Sequence, residues 1–259
     1  MIIDSHAHLN DEKIINDITN IISRMKANGV LRVLVPGWDK ESSKLSVKLS
    51  NEYDEIYGAV GIHPENVEGI ELSDLDEIKE LTKNKKIVAI GEVGLDYHWT
   101  AETKDKQKEF FIKQIALSYE LNLPLVIHLR DATEDCINIL KENIKIYGKR
   151  ENMGVMHSFS GSVETMNECL KMGFYISFSG PVTYKNARTI KEAALTCPMD
   201  RILVETDSPY LPPVPLRGTI NEPKNVVYIL NEIANIKGID VKTLEEETTK
   251  NFNRLFLGE

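Results

Sequence analysis

The sequence lacks the features that mark membrane-spanning and disulfide-stabilised proteins. It contains no run of eighteen or more uncharged apolar residues, so no membrane-spanning helix is predicted. Its only cysteines, Cys136, Cys169 and Cys197, are odd in number, far apart and in no C-x-x-C pair. This pattern argues against a zinc–thiolate site and predicts reduced thiols. No basic and apolar leader follows Met1, so we expect no signal peptide and a cytoplasmic location.

The chain also lacks an excess of positive charge. Its net charge is −9 over 259 residues, which argues against a protein that coats nucleic acid by bulk electrostatics. An enzyme that engages one strand end locally is still compatible with this charge, because bound divalent cations supply positive charge where it is needed.

Short aliphatic runs alternate with longer amphipathic stretches, which is typical of βαβ units and a parallel sheet. Eight strands are predicted, at Met1–His6, Leu31–Pro36, Ile56–Gly61, Ile87–Glu92, Leu125–His128, Gly154–His157, Phe174–Ser179 and Ile202–Glu205. This count predicts an α/β fold, a single (β/α)8 TIM barrel forming one domain over residues 1–259. Two additional C-terminal helices are predicted at Asn221–Ile236 and Val241–Phe256. An open doubly wound sheet is the alternative, but no glycine-rich phosphate loop follows the first strand.

Histidines mark the ends of the predicted strands. Five of the six in the chain lie at or just past a strand's carboxyl end: His6, His8, His63, His128 and His157. In a barrel, these strand ends and the loops that follow them form the active site. The histidine pattern therefore predicts a site at this face.

Two ligand groups can be read from this pattern. His6 and His8 are two apart in an extended segment, so their rings point to the same side. Asp207 follows the eighth strand, which lies beside the first in a closed barrel, so it is expected to face both histidines. Asp4 is expected to orient a ligand from behind.

The second predicted group contains His128 and His157, at the ends of successive strands, and Glu92 ends an apolar strand between two glycines. A carboxylate can bridge two cations, so we predict Glu92 between the two groups. Nitrogen and oxygen ligands without sulfur suit zinc, manganese, nickel or cobalt, and magnesium less well.

The chain resembles the TatD-family metal-dependent deoxyribonucleases, within the amidohydrolase-like barrels. The resemblance rests on Asp4–His8, Gly61–Pro64, Ile90–Tyr97, His128, His157–Gly161, Glu205–Leu211 and Asn221–Pro223. It implies six metal ligands: His6, His8, Glu92, His128, His157 and Asp207. It also implies His63 near the scissile phosphate, and nuclease activity on DNA, often at a 3′ end, with magnesium or another divalent ion. Ile220 stands where the family often carries a basic residue.

The predicted function is hydrolysis of DNA phosphodiester bonds, in single strands or at 3′ ends, by a water activated by two divalent ions (Mg, Mn or Zn). Asp207, Glu92 and His63 are the predicted catalytic residues, with Asp207 as the general base. His63, Arg130, Lys185 and Arg217 are predicted to bind the substrate. A monomer is expected by default, with no membrane partner.

Three alternatives fit the same residues. One is a hydrolase of amide, ester or lactone bonds, and another is an aminoacyl-tRNA deacylase, since both use the same kind of site. The third is a non-catalytic barrel that uses metal as a structural element.

Overall fold

The computed structural model describes residues 1–259. Its strands are β1 Ile2–Asp4, β2 Val30–Pro36, β3 Ile56–Val60, β4 Ile87–Asp96, β5 Leu125–Arg130, β6 Gly154–Met156, β7 Phe174–Phe178 and β8 Ile202–Val204. Its α-helices are α1 Ile18–Ala27, α2 Lys40–Glu52, α3 Leu75–Leu81, α4 Lys104–Leu121, α5 Thr133–Tyr147, α6 Val163–Met172, α7 Arg188–Thr196, α8 Val226–Lys237 and α9 Val241–Phe252. No helix combines the length and the apolar character that a membrane crossing needs.

The strands follow one another in the sheet in chain order, β1 to β8. The pairs β1–β2, β3–β4, β4–β5, β5–β6 and β7–β8 are parallel. Ser5 N–H donates to Val204 O, so β8 also bonds to the chain that continues β1. The predicted fold class, a (β/α)8 barrel with additional C-terminal helices, is confirmed.

The chain forms two compact units. The first comprises Met1–Val35, Ser158–Asn167 and Tyr175–Glu259. In it, α9 packs against β1 and β8, and Leu244 and Phe252 of α9 are fully buried. The second comprises Pro36–His157 and Glu168–Phe174. There α4 packs against β4 and buries Phe110 and Phe111. The one-domain assignment stays a prediction.

Local sequence explains where these elements begin and end. Asp39 caps α2 by accepting from Ser42 N at 2.7 Å, while the Ser42 hydroxyl accepts from Asp39 N at 2.8 Å. The predicted helix Asn221–Ile236 begins later, because Pro223–Asn225 forms a 3-10 turn before α8. The other predicted helix ends early, at Phe252, and Asn253–Leu257 continues it as a single π turn.

The main departure from the predicted boundaries is in β4. We expected this strand to end at Glu92, where a charge interrupts the apolar run. It continues to Asp96 and pairs Gly94 with His128 and Asp96 with Arg130, after a register shift between Ile90 and Val93. Gly94 permits this pairing, because a Cβ there would lie 2.0 Å from the carbonyl oxygen of His128.

Candidate metal centre

The first unit brings together His6, His8 and Asp207, called here the His6 set. The two Nε2 atoms of the histidines lie 3.1 Å apart. Asp207 Oδ1 lies 3.6 Å from Nε2 of His6 and 3.4 Å from Nε2 of His8. All three residues are buried. The predicted convergence of Asp207 on the two histidines is present.

The backbone on either side fixes this geometry. Ala7 N–H donates to Leu34 O of β2, whereas His8 N–H donates to Ser208 O after β8. The segment therefore stays extended beyond the end of β1 and directs both imidazoles to one side. The main-chain N–H of Asp207 donates to His6 O, which ties the backbone at Asp207 directly to the histidine segment.

Asp207 lies in an unusual backbone conformation, with φ of +58°. Asparagine and aspartate are the non-glycine residues that best tolerate this left-handed region. The fully buried Asn221 stabilises the loop, since its side-chain amide donates to Thr206 O at 3.0 Å and Tyr210 O at 2.8 Å. Glu222 then pairs with the Arg24 guanidinium through two bonds of 2.8 and 3.0 Å. The Asn-Glu-Pro segment thus supports the Asp207 loop.

Two further buried carboxylates, Asp4 and Glu205, lie in the first unit, and Asp4 contacts the backbone of the His6 set. Asp4 accepts from Thr206 N at 2.9 Å, from the Thr206 hydroxyl at 2.5 Å and from His6 N at 3.2 Å. Burial raises the pKa of Asp4 well above its usual range, against the lowering effect of these three bonds. Asp4 thus contacts the predicted ligand His6 through its backbone N–H, and its role in orienting that ligand stays a prediction. Glu205 accepts from Ser158 N at 2.7 Å.

The second unit brings together His63, Glu92, His128 and His157, called here the Glu92 set. One oxygen, Glu92 Oε1, lies 3.3 Å from His63 Nε2, 3.1 Å from His128 Nδ1 and 2.9 Å from His157 Nε2. His157 Nε2 is also 3.4 Å from His128 Nδ1. Three imidazoles therefore surround one buried carboxylate oxygen.

His128 contacts carboxylates through both ring nitrogens, because its Nε2 lies 2.8 Å from Asp96 Oδ2. Burial lowers the pKa of His128, but the hydrogen bonds from Asp96 and Glu92 outweigh it and raise the pKa above 6.5. A site that stabilises a proton on an imidazole in this way has a negative potential. The same potential favours a bound cation.

The pKa of His63 shifts in the opposite direction. Burial, followed by the nearby His128, lowers the pKa of His63 to about 4, so its ring is neutral at pH 7. Glu65 N–H donates to His63 Nδ1 at 3.2 Å, which places the ring proton on Nε2. Gln114 of α4 holds the preceding residue, accepting from Ile62 N at 2.8 Å and donating to Ile62 O at 3.0 Å. A neutral N–H donor is thus held beside Glu92.

Both sets fit a divalent ion in spacing and in chemistry. Ligand atoms 2.0–2.2 Å from one ion lie about 2.8–3.6 Å from each other in octahedral or tetrahedral geometry. The distances in the His6 set are 3.1, 3.4 and 3.6 Å. Those from Glu92 Oε1 run from 2.9 to 3.3 Å. The bridging position of Glu92 and the number of ions stay predictions.

Comparison with known proteins decides the family. The model of the TatD related DNase family matches residues 3–257. The chain belongs to the TatD family.

Two bacterial relatives within the TatD-family match are similar along their whole length. The metal-dependent hydrolase YabD of Bacillus subtilis, named uncharacterized, is 48% identical over 256 residues, or 99% of each chain. The similarly named YcfH of Escherichia coli K12 is 40% identical over 258 residues, covering 98% of this chain and 95% of YcfH. Family and relatives together make this chain a TatD-family metal-dependent hydrolase.

A solved TatD homologue has the same fold. The crystal structure of YJJV from Escherichia coli K12 superposes with a TM-score of 0.93, covering 99% of this chain and 98% of YJJV. Its identity is 24%, so this likeness speaks for the fold alone.

Of the four predicted substrate-binding residues of this TatD-family chain, His63 is buried in the Glu92 set, whereas Arg130, Lys185 and Arg217 are exposed. Arg130 ends β5, and its guanidinium carbon lies 5.3 Å from the centre of the Trp99 indole. Arg217 lies 4.2 Å from the ring centre of Tyr184 in the first unit. Lys185 follows the 3-10 turn Gly180–Thr183. The substrate roles of all three stay predictions.

Sequence reasoning missed three residues of the TatD-family site. Asp96 contacts His128, and the fully buried Gln107 of α4 accepts from Asp96 N at 2.9 Å and donates to Asp96 O at 2.9 Å. His98, the sixth histidine, also follows a strand end and lies 2.9 Å from Asp131. Asp96 and His98 were overlooked because β4 was expected to end at Glu92, and Gln107 because its role depends on the position of α4. The continuing apolar residues Val93 and Leu95 were the available signal.

Proposed function

We propose that this protein hydrolyses phosphodiester bonds of DNA, in single strands or at 3′ ends, with divalent metal ions held by the His6 set and the Glu92 set. The observation that carries the proposal is the convergence of three imidazoles on Glu92 Oε1, together with the nitrogen and oxygen ligands of the His6 set. When bound, divalent ions lower the pKa of water and neutralise charge on a phosphoryl group.

His63 acts on the substrate as a neutral donor. Its proton is on Nε2, because Nδ1 accepts from Glu65 N. Since its pKa of about 4 keeps the ring neutral, His63 donates from Nε2 to a non-bridging phosphate oxygen as an uncharged hydrogen-bond donor. The Pro64 that follows and the Gln114 clamp on Ile62 keep the ring in place.

Asp207 serves as the proton acceptor. Its backbone is held by the bond from Asp207 N to His6 O, and the loop around it by the Asn221 side chain. It keeps about a tenth of its surface exposed, which leaves the carboxylate within reach of a water molecule. A rigid base at this position avoids reorganisation during proton transfer.

The metal requirement and Glu92 provide the main test. Protein stripped with chelator is assayed on end-labelled single-stranded DNA after addition of Mg²⁺, Mn²⁺ or Zn²⁺. We expect cleavage only with metal, and a loss of at least a hundredfold in Glu92→Gln. Glu142→Gln, at an exposed position on α5, is the matched control and keeps full activity. Undiminished cleavage by Glu92→Gln would refute the proposed role of the Glu92 set in holding the metal.

A substrate panel separates the competing hydrolase functions. DNA, RNA, aminoacyl-tRNA and lactones are compared at the same metal concentration. Preference for DNA supports the proposal, whereas faster turnover of lactones or charged tRNA assigns the same residues to acyl transfer to water. No turnover of any substrate supports the structural-metal alternative.

A further inference from the structure

We infer that Trp99 and Arg130 form a nucleotide subsite beside the Glu92 set, in which a base stacks on the Trp99 indole and Arg130 pairs with a phosphate. This inference rests on the proposed function and names the part of the substrate that the second unit recognises.

Trp99 is exposed and already arranged for stacking. The residue is 60% exposed, and the Arg130 guanidinium carbon lies 5.3 Å from the ring centre. The His98 and Trp99 rings form a T-shaped contact, with 4.6 Å between centres and an interplanar angle of 88°. His98 is itself held by Asp131, 2.9 Å from its Nδ1. The indole orientation is therefore supported by a neighbour that leaves much of the ring exposed.

The loop that carries Trp99 is unusually well anchored for an exposed segment. Asp96 Oδ1 accepts from His98 N at 2.8 Å and from Trp99 N at 2.9 Å. The fully buried Gln107 amide contacts Asp96 O, Thr100 O and the Thr103 hydroxyl at 2.8–3.1 Å. These bonds fix the backbone on both sides of Trp99, although the tryptophan itself faces solvent. The anchoring indicates a rigid binding surface.

The same carboxylate connects Trp99 to the metal ligands. While Asp96 Oδ1 holds the Trp99 loop, Asp96 Oδ2 lies 2.8 Å from His128 Nε2. On β5, His128 and Arg130 are two residues apart, so both point to the same face, about 7 Å apart along the strand. A phosphate at the Glu92 set and a base on Trp99 can therefore belong to the same or the adjoining nucleotide.

The residue types favour a nucleotide over an aliphatic ester or lactone. A base stacked on an aromatic side chain gains about 1–3 kcal/mol without regard to its identity. Arginine combines a planar surface for stacking with a bidentate donor pair for phosphate. An aliphatic lactone offers neither a flat π face nor an anionic oxygen.

Binding is tested without turnover. Trp38→Phe leaves Trp99 as the sole tryptophan, and its fluorescence is followed in chelator as thymidine tetranucleotide is added. A tetramer of abasic sites with the same phosphates is the comparison ligand. We expect quenching with the thymidine tetramer and binding weaker by about 5- to 150-fold with the abasic one. Equal affinity and equal quenching for the two ligands overturn the inference.

Variants then separate base from phosphate recognition with metal present. Trp99→Ala is expected to raise KM for the thymidine tetramer and to leave KM for the abasic tetramer unchanged. Trp99→Phe should largely restore the parent KM for the thymidine tetramer. Arg130→Gln should weaken the binding of both tetramers, because both carry the phosphates. Tyr147→Ala, an exposed aromatic on α5, is the matched control and changes neither.

The two arms distinguish failure of the subsite from failure of the proposed function. Base-dependent quenching without cleavage of any phosphodiester leaves the subsite standing and refutes the proposed function. Cleavage of DNA with an unchanged KM in Trp99→Ala refutes the subsite alone.

Discussion

The only two glutamines of the sequence, Gln107 and Gln114, lie seven residues apart on one face of α4, and both are buried. Each holds the backbone of a loop that carries a site residue. We predict that replacing either by methionine, which is similar in length and apolar, destabilises the protein by an amount set by its hydrogen bonds.

The expected magnitudes follow from the bonds. The Gln107 side-chain oxygen accepts one hydrogen bond from Asp96 N. Its amide group has two hydrogens to donate, which are shared among nearby acceptors on Asp96, Thr100 and Thr103. Gln107 therefore makes three bonds. Gln114 makes two, both to Ile62. At about 1 kcal/mol net for each bond, Gln107→Met loses about 3 kcal/mol and Gln114→Met about 2 kcal/mol.

Urea unfolding of metal-free protein measures the free energy of unfolding, with circular dichroism and fluorescence required to give coincident curves. Lys113→Met, at an exposed position on the same helix, is the control and is expected to stay within about 0.5 kcal/mol of the parent. In activity assays, Gln114→Met should lower kcat through His63, whereas Gln107→Met should raise KM through the Trp99 loop. A Gln107→Met protein as stable as the Lys113→Met control would refute this reasoning.

Three other predictions concern metal, loop support and thiols. Metal at a hundredfold excess over its Kd should stabilise the parent by about 2.7 kcal/mol for each ion bound, and Glu92→Gln should lose most of this in the same thermal scan. Asn221→Ala should lower the free energy of unfolding in urea by about 1–3 kcal/mol and also lower activity, because the buried Thr206 O and the partly buried Tyr210 O lose their donor. Unaltered stability would contradict this. Burial raises the pKa of Cys169 and Cys197 to about 12, and that of Cys136 further, so a thiol reagent at pH 8 should modify none in folded protein and three after unfolding. Because these thiols ionise near 8.5 when unfolded, the free energy of unfolding should fall as pH rises from about 8.5 towards 12, whereas a flat profile there would argue against it.

The His6 set could be predicted from the sequence because it depends on two simple facts. Residues two apart in an extended segment share a side, and the last strand of a barrel lies next to the first. His6, His8 and Asp207 meet for these reasons, within 3.6 Å. Local sequence and topology were sufficient here.

The Asp96 network could not be predicted in the same way. A charge after an apolar run usually marks a strand end, and at Glu92 it does not, since β4 continues to Asp96 after its register shift. That continuation depends on the close approach of Gly94 to His128 O, which is a tertiary contact. The clamping roles of Gln107 and Gln114 are likewise invisible without the helix position.

Asp96 also has a consequence for how the protein can be altered. One carboxylate fixes an imidazole of the Glu92 set with one oxygen and the main chain of the neighbouring loop with the other. Lengthening or shortening that loop would therefore change the affinity of the Glu92 set for an ion. Exchanging the side chains at positions 98 and 99 would leave that affinity unchanged. Substrate preference is therefore best redesigned through those two side chains, on an unchanged backbone.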